Sequence, residues 1–290
     1  TATAAQTITG TLSANLGSGE SLWGSVNGGV SYSNISSSVT GTAISWTGAT
    51  LSGTSSIKFE VRDAAGNVGT AATQNYELDT TAPTQTISGI DISADTGSSA
   101  TDFLTATASQ TITGTLSANL GASESLWGSV DGGVTYTNIS SFVTGTALSW
   151  TGATLSGTSS IKIEVRDAAG NVGTVATQNY ELDTTAPTQT VGAIDISADT
   201  GSSATDFLTA TASQTITGTL SANLGTGESL WGSVDGGANY VDVSSSVTGT
   251  AISWTGATLS GSSSIKFQVR DSAGASGTVA TQAYVLDTTA

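Results

Sequence analysis

The 290-residue chain contains no histidine, cysteine or methionine, so carboxylates are the groups left to do chemistry. They follow a fixed pattern. Asp95 and Asp102 bracket the run D-T-G-S-S-A-T-D, and the pair returns as Asp199 and Asp206. Asp79, Asp183 and Asp287 each stand in an L-D-T-T-A run, while Asp167 and Asp271, like Asp63, open D-[AS]-A-G. Glu124 and Glu228 stand just before S-L-W-G-S-V. Without imidazole or thiolate, the usual general base and the zinc and transition-metal ligands are missing. Clustered carboxylates with hydroxyls and carbonyls between them suit calcium, which takes roughly six to eight oxygen ligands in flexible geometry. Magnesium is less apt, because it keeps its waters and prefers strict octahedral sites.

Each carboxylate also has a local role open to it. Asp95 could be a turn residue, Asp79, Asp183 and Asp287 could cap the turn before Thr-Thr-Ala, and Asp63, Asp167 and Asp271 could start a turn. The ligand reading is favoured for Asp95 because Asp102 follows in the same loop, where Gly97 allows a sharp bend. Asp131 and Asp235 read as hairpin residues, since Asn27 replaces them in the first copy. Asp91 and Asp195 lie within a strand and read as surface.

The pattern recurs because the chain does. The segment QTITGTLSANLG begins at Gln6, Gln110 and Gln214, two intervals of 104 residues (110 − 6 and 214 − 110). Solenoid repeats run about 20–50 residues, because each is one unit that cannot bury its own apolar face. A 104-residue period is long enough for a complete small domain with its own core. Residues 79–182 and 183–290 read as complete units, and 1–78 as a unit lacking its first strand.

Thr, Ser, Gly and Ala dominate and only 10% of residues are charged, which favours strands and turns over helices. Regular apolar alternation and six Trp argue against disorder. The absence of Cys rules out disulfide staples. No apolar run approaches the roughly 18 residues of a membrane span. Starting at Thr1 with no Met, the chain reads as an excised fragment, with any signal or anchor outside it. Its net charge of −16 makes nucleic acid and anionic membranes poor partners.

Residues 79–182 offer seven strands separated by turn clusters, the spacing of an all-β sandwich: 84–93, 110–118, 125–130, 134–139, 146–155, 161–166 and 175–182. Gly89 is a kink where the chain switches sheets, and a long polar loop carries Asp95 and Asp102. Ile112, Gly114, Leu116 and Ala118 share one face, and D-G-G at Asp131 turns a tight hairpin. In 161–166, Ile161, Ile163 and Val165 point inward while Lys162, Glu164 and Arg166 point out, the two cations pairing across to neighbouring strands. Trp150 shares the Leu148 face and reads as core. Trp127 falls opposite Leu126, Gly128 and Val130, on the outer face, where an open ring would suit a sugar platform.

Alternating strand directions place the loop of Asp95 and Asp102 at the end where the chain leaves a unit, beside Asp183. The next unit brings the turn of Asp271 and the loop of Glu228 to the same junction. Four or five carboxylates there would repel unless neutralised.

The combination of V-R-D-A-A-G-N, L-D-T-T-A-P and D-T-G-S-S-A-T-D resembles the bacterial immunoglobulin-like repeats of the extender regions of giant secreted adhesins and biofilm-associated (RTX) proteins. The resemblance implies tandem seven-stranded immunoglobulin-like sandwiches in an elongated array and Ca2+ at the domain junctions. It also implies type I export to the bacterial cell surface and a spacer role behind a tip whose ligand lies outside the fragment. By motif, the family's junction ligands fall on Asp79, Asp95, Asp102, Asp183, Asp199 and Asp206, with Asp167 and Asp271 in the last hairpin turn. Ala275 departs from the pattern, standing where Asn67 and Asn171 stood. A carbohydrate- or surface-binding module is the alternative. An enzyme is disfavoured, because the carboxylates gather at linkers rather than in one cleft. The expected partners are the neighbouring repeats themselves, with no nucleic acid and no direct membrane contact.

Overall fold

The computed structural model describes residues 1–289. Its first part comprises β1 (Ala5–Thr11), β2 (Ser21–Ser25), β3 (Ser33–Asn34), β4 (Val39–Thr40), β5 (Ala43–Thr50), β6 (Thr54–Arg62) and β7 (Ala72–Glu77). Next come β8 (Ile87–Ile92), β9 (Leu104–Thr105), β10 (Ser109–Leu116), β11 (Ser125–Ser129), β12 (Thr137–Asn138), β13 (Val143–Thr144), β14 (Ala147–Thr154), β15 (Thr158–Arg166) and β16 (Ala176–Leu182). The pattern repeats as β17 (Val191–Ile196), β18 (Leu208–Thr209), β19 (Ser213–Leu220), β20 (Ser229–Ser233), β21 (Val241–Asp242), β22 (Val247–Thr248), β23 (Ala251–Thr258), β24 (Ser262–Arg270) and β25 (Ala280–Leu286).

Alternation of apolar and small polar residues puts one face of each strand into a shared core. In the second sandwich a four-stranded sheet, β13-β14-β10-β8, covers a five-stranded one, β12-β11-β15-β16-β9. This is the strand order of an immunoglobulin-like fold, and the third sandwich has the same order. Ile112, Leu126, Ile161, Ile163 and Val165 are fully buried between the sheets, with Trp150 packed among them. Gly128 lies against that Trp: a Cβ there would stand 2.6 Å from Trp150 Cζ3.

The first strand differs from its sequence reading. Gly89 has φ +61 and the pairing of β8 with β10 is irregular nearby, but the chain stays in the same sheet there. The sheet switch comes later, across the acidic loop, where β9 joins the opposite sheet parallel to β16. The loop therefore links two short strands in different sheets, which clamps both its ends. After the D-G-G turn only Thr137–Asn138 pairs back on β11, and a 3-10 turn at Ser140–Phe142 follows.

In the first sandwich the sheets formed by the described residues are β1-β5-β4 and β3-β2-β6-β7. Among the described residues no helix is long and apolar enough to cross a membrane.

Candidate metal centre

The loop between β8 and β9 is shaped around its two carboxylates. Asp102 Oδ1 accepts from Leu104 N at 3.0 Å and its Oδ2 from Ser99 N at 3.1 Å. These backbone bonds hold its carboxyl below the usual carboxylate range. A Cβ on Gly97 would stand 2.8 Å from Asp102 Oδ1, so the loop closes over the carboxylate only with glycine there. Asp95 Oδ2 accepts from Phe103 N at 3.1 Å. Phe103 holds a left-handed φ of +58, a conformation costing roughly 1–2 kcal/mol, while its ring packs into the core.

Asp95 Oδ1 is buried with no partner. Burial, with the Asp102 charge beside it, pushes the Asp95 carboxyl above its ordinary value. The third sandwich repeats the arrangement: Asp199 Oδ2 accepts from Phe207 N at 3.0 Å and Asp199 Oδ1 is buried without a partner. Asp206 takes the bonds that Asp102 takes, from Leu208 N and Ser203 N at 3.1 Å each.

The turn between the last two strands supplies the other half of each junction. Asp167 Oδ1 accepts from Gly170 N and Asn171 N, and Oδ2 from Asn171 Nδ2 at 2.8 Å, which depresses its pKa. Asn171 Nδ2 also donates to Asp79 O at 2.8 Å, fastening the linker to the second sandwich. In the third sandwich Ala275 supplies no amide. Asp271 Oδ1 still accepts from Ala275 N at 2.9 Å, but Oδ2 is left buried without a partner.

The second and third sandwiches meet through these two pieces. Thr96, next to Asp95, donates its hydroxyl to Ala273 O, beside Asp271, at 2.5 Å. A Cβ on Gly274 would stand 2.3 Å from Thr96 O, so the turn admits the loop only because residue 274 is glycine. The sequence-predicted neighbours Asp95, Asp102 and Asp271 thus lie on the two loops in contact.

The remaining candidates sit in local bonds. Asp183 Oδ1 accepts from Thr185 N at 2.9 Å and Asp183 N donates to Thr105 O at 2.9 Å. Asp79 and Asp287 cap the same turn through Thr81 N and Thr289 N. Glu124 Oε2 accepts from Gly121 N at 2.7 Å and from Gln85 Nε2, and Glu228 is bonded in the same way by Gly225 and Gln189. Both glutamates thereby tie the linker to the loop before β11 or β20. Asp131 and Asp235 bind their own hairpins through Thr135 and Asn239.

Sequence reasoning missed Gln85, Gln189 and Gln110. Gln110 is buried and clamps the acidic loop, with Oε1 accepting from Ala94 N at 2.9 Å and Nε2 donating to Thr107 O at 2.6 Å. Its signal was in the sequence: it sits in phase with Ile112 and Leu116, a polar residue on a core face.

Among the described residues no three carboxylates form a ready-made metal cluster. The donor chemistry nonetheless fits a hard cation. All the donors are oxygens, and the buried, unpartnered atoms are Asp95 Oδ1, Asp199 Oδ1 and Asp271 Oδ2, with the linker glutamine oxygens of Gln85 and Gln189.

The outer face carries a closed stack. Arg166 lies 4.5 Å from the Trp127 ring centroid and 4.9 Å from that of Tyr136, and its Nε donates to Glu164 Oε1 at 2.7 Å. Trp127 is on the outer face, but the guanidinium covers it. The arginine pairs along its own strand, not across to a neighbour as its sequence position suggested.

No family model matches the chain, and no curated protein matches it. Solved structures similar to it include the FN1-FN3 domains of chicken CNTN1, at 12% identity over 98% of this chain and 96% of that one, with a TM-score of 0.35. A tetra-tandem repeat in the extending region of a large adhesion protein is 19% identical over 97% and 70%, with a TM-score of 0.22. A structure of a 1.5-MDa bacterial ice-binding adhesin is 18% identical over 98% and 91%, with a TM-score of 0.30.

Proposed function

We propose that this chain is a passive extender of a bacterial surface adhesin, its junctions stiffened by calcium, holding a ligand-binding tip away from the cell. The observation that supports this reading is the junction of the second and third sandwiches. There the loop of Asp95 and Asp102 touches the turn of Asp271, and each side carries a buried carboxylate oxygen without a partner. A cation bound by both loops would neutralise three carboxylates and bind two neighbours at once. Asp95, Asp102 and Asp271 would hold it, with Asp183 on the adjoining linker; Asp199, Asp206 and Asp287 are the counterparts of Asp95, Asp102 and Asp183 at the end of the third sandwich. At the first junction Asp79, Asp167 and Glu124 are the candidates, and there the Asn171 amide donates both to the Asp79 carbonyl and to Asp167 Oδ2.

Near-identical copies suit a length unit. Strands of about 8 residues at ~3.3 Å each make a sandwich on the order of 40 Å long with its loops, so three span roughly 120 Å. The covered Trp127 ring weighs against a sugar-binding platform, and the carboxylates sit at linkers, not in a catalytic cleft. Calorimetric titration of the metal-free chain with CaCl2 tests the reading: saturable binding weakened by Asp95→Asn and by Asp271→Asn supports it, and no heat beyond dilution refutes it.

A further inference from the structure

The turn between β2 and β3 occurs three times in the chain with one difference. Asn27 opens it in the first sandwich, where Asp131 and Asp235 open it in the others. The backbone does not register the change. The two glycines that follow have φ +75 and +94 in the first copy, +76 and +92 in the second and +77 and +94 in the third. In each copy the first glycine N donates at 3.0 Å to a carbonyl on β6, β15 or β24: Gly28 to Ser56, Gly132 to Ser160 and Gly236 to Ser264.

Asn27 is exposed, and of the chain's asparagines it alone precedes glycine; the others precede leucine, isoleucine, valine or tyrosine. With no Cβ on Gly28, nothing shields that nitrogen from the Asn27 side chain. The side-chain carbonyl is already polarised. Asn27 Oδ1 accepts from Ser25 Oγ at 2.9 Å and from Ser31 N at 3.0 Å, two donors placed where negative charge would gather if Cγ were attacked. The Gly28–Ser56 bond holds the nitrogen back, so reaction waits on one hydrogen bond opening.

The other copies show where the product would rest. Asp131 Oδ1 accepts from Ser129 Oγ at 2.6 Å, as Asn27 Oδ1 accepts from Ser25, and its Oδ2 accepts from Thr135 Oγ1. Asp235 Oδ2 accepts from Asn239 Nδ2 at 2.7 Å. Hydrogen bonds, led by Ser129 at Asp131 and by Asn239 N at Asp235, hold both carboxyls well below the usual carboxylate range. In the first copy Ser31 Oγ, which accepts from Asn27 Nδ2 at 2.8 Å, has only to turn its proton towards the new oxygen.

We propose that Asn27 is a self-modifying site, which deamidates in the folded chain to an aspartate held as Asp131 and Asp235 are. The Gly28 nitrogen bonds to Asn27 Cγ and gives up its proton as the Cγ–Nδ2 bond breaks; ammonia departs and a cyclic imide remains. Water then adds at one imide carbonyl. Opening at Cγ leaves the ordinary peptide to Gly28 and gives aspartate, whereas opening at the main-chain carbonyl gives isoaspartate. Isoaspartate lengthens the main chain within the turn, so it forfeits the bonds of Gly28 N to Ser56 O and of Gly29 N to Ser25 Oγ. The fold therefore selects aspartate.

The test is to incubate the 290-residue chain at mildly alkaline pH beside a synthetic peptide of residues 21–36. Peptide mass mapping locates each deamidation, and isoaspartyl methyltransferase labelling separates the isomers. Asn27 should convert before any other asparagine, and in the chain aspartate should exceed isoaspartate at least about threefold, as the forfeited bonds require. In the peptide isoaspartate should exceed aspartate. Asn27→Asp should leave the first sandwich at least as stable in urea, read by hydrogen exchange in β2 and β6. The proposal is overturned if Asn27 stays intact while the peptide converts, if another asparagine converts first, or if the chain gives the peptide's isomer ratio. A first sandwich weakened by Asn27→Asp would overturn it as well.

Discussion

The side-chain amide of Asn171 bridges Asp167 Oδ2 and the carbonyl of Asp79, each at 2.8 Å, so one residue closes a turn and fastens the linker to it. In the first sandwich Asn67 makes only the turn bond, to Asp63 Oδ2 at 2.7 Å. Asn171→Ala should therefore cost about 1–2 kcal/mol, more than Asn67→Ala, in urea unfolding followed by hydrogen exchange in each sandwich. Equal losses would mean that the linker bond contributes nothing.

Restoring the missing amide at the next junction should have the opposite effect. Ala275→Asn gives Asp271 Oδ2 a donor and should stabilise the metal-free third sandwich by about 1 kcal/mol. The same change should weaken calcium binding, because it occupies an oxygen proposed to bind the ion. Thermal unfolding in chelator, and then in CaCl2, measures both.

Asp95 sets a pH dependence of definite sign. Its carboxyl is raised by burial, with Asp102 beside it, so the folded chain holds that proton more tightly than the unfolded one. The residue therefore withdraws stability as pH rises through the unfolded value and then the folded value. Asp102, depressed by backbone bonds to Leu104 and Ser99, acts the other way, its contribution present above the ordinary value and lost as pH falls. In chelator, Asp95→Asn should raise the unfolding midpoint at about pH 7 and leave it unchanged at about pH 3. In calcium at pH 7 it should lower the midpoint.

The outer-face stack differs between copies in a way that can be measured. Glu164 is 4% exposed and paired with Arg166, whereas Gln268 occupies the position beside Arg270. Arg166→Ala strands a buried charge and should cost roughly 2–3 kcal/mol; Arg270→Ala, beside a neutral amide, should cost about half that. Local hydrogen exchange in β15 and β24 reports the difference.

Much of this was legible in the sequence. The inward run Ile161, Ile163 and Val165 fixed the register of β15, and D-T-G-S-S-A-T-D marked the loop that reaches the next sandwich. The two-residue strands β9 and β13 were not legible, because two residues carry no periodicity and β9 is held by its neighbour β16. Gly89 was misread as the sheet switch, since a positive φ bends a strand without moving it to another sheet. The change from Asn to Ala at 275 was visible, but its consequence, an unpartnered Asp271 oxygen, needed the turn's geometry.

On the proposed reading, a cation at these junctions turns three linked sandwiches into a rod. Small-angle scattering of the 290-residue chain in CaCl2 and in chelator tests it most directly. The maximum dimension should be near 120 Å in calcium, as ~40 Å per sandwich requires, and should shorten and blur in chelator. Asp95→Asn combined with Asp271→Asn should remove the part of that change that comes from the junction of the second and third sandwiches and leave a smaller difference between the two conditions. Superimposable curves for the unaltered chain with and without calcium would contradict the account.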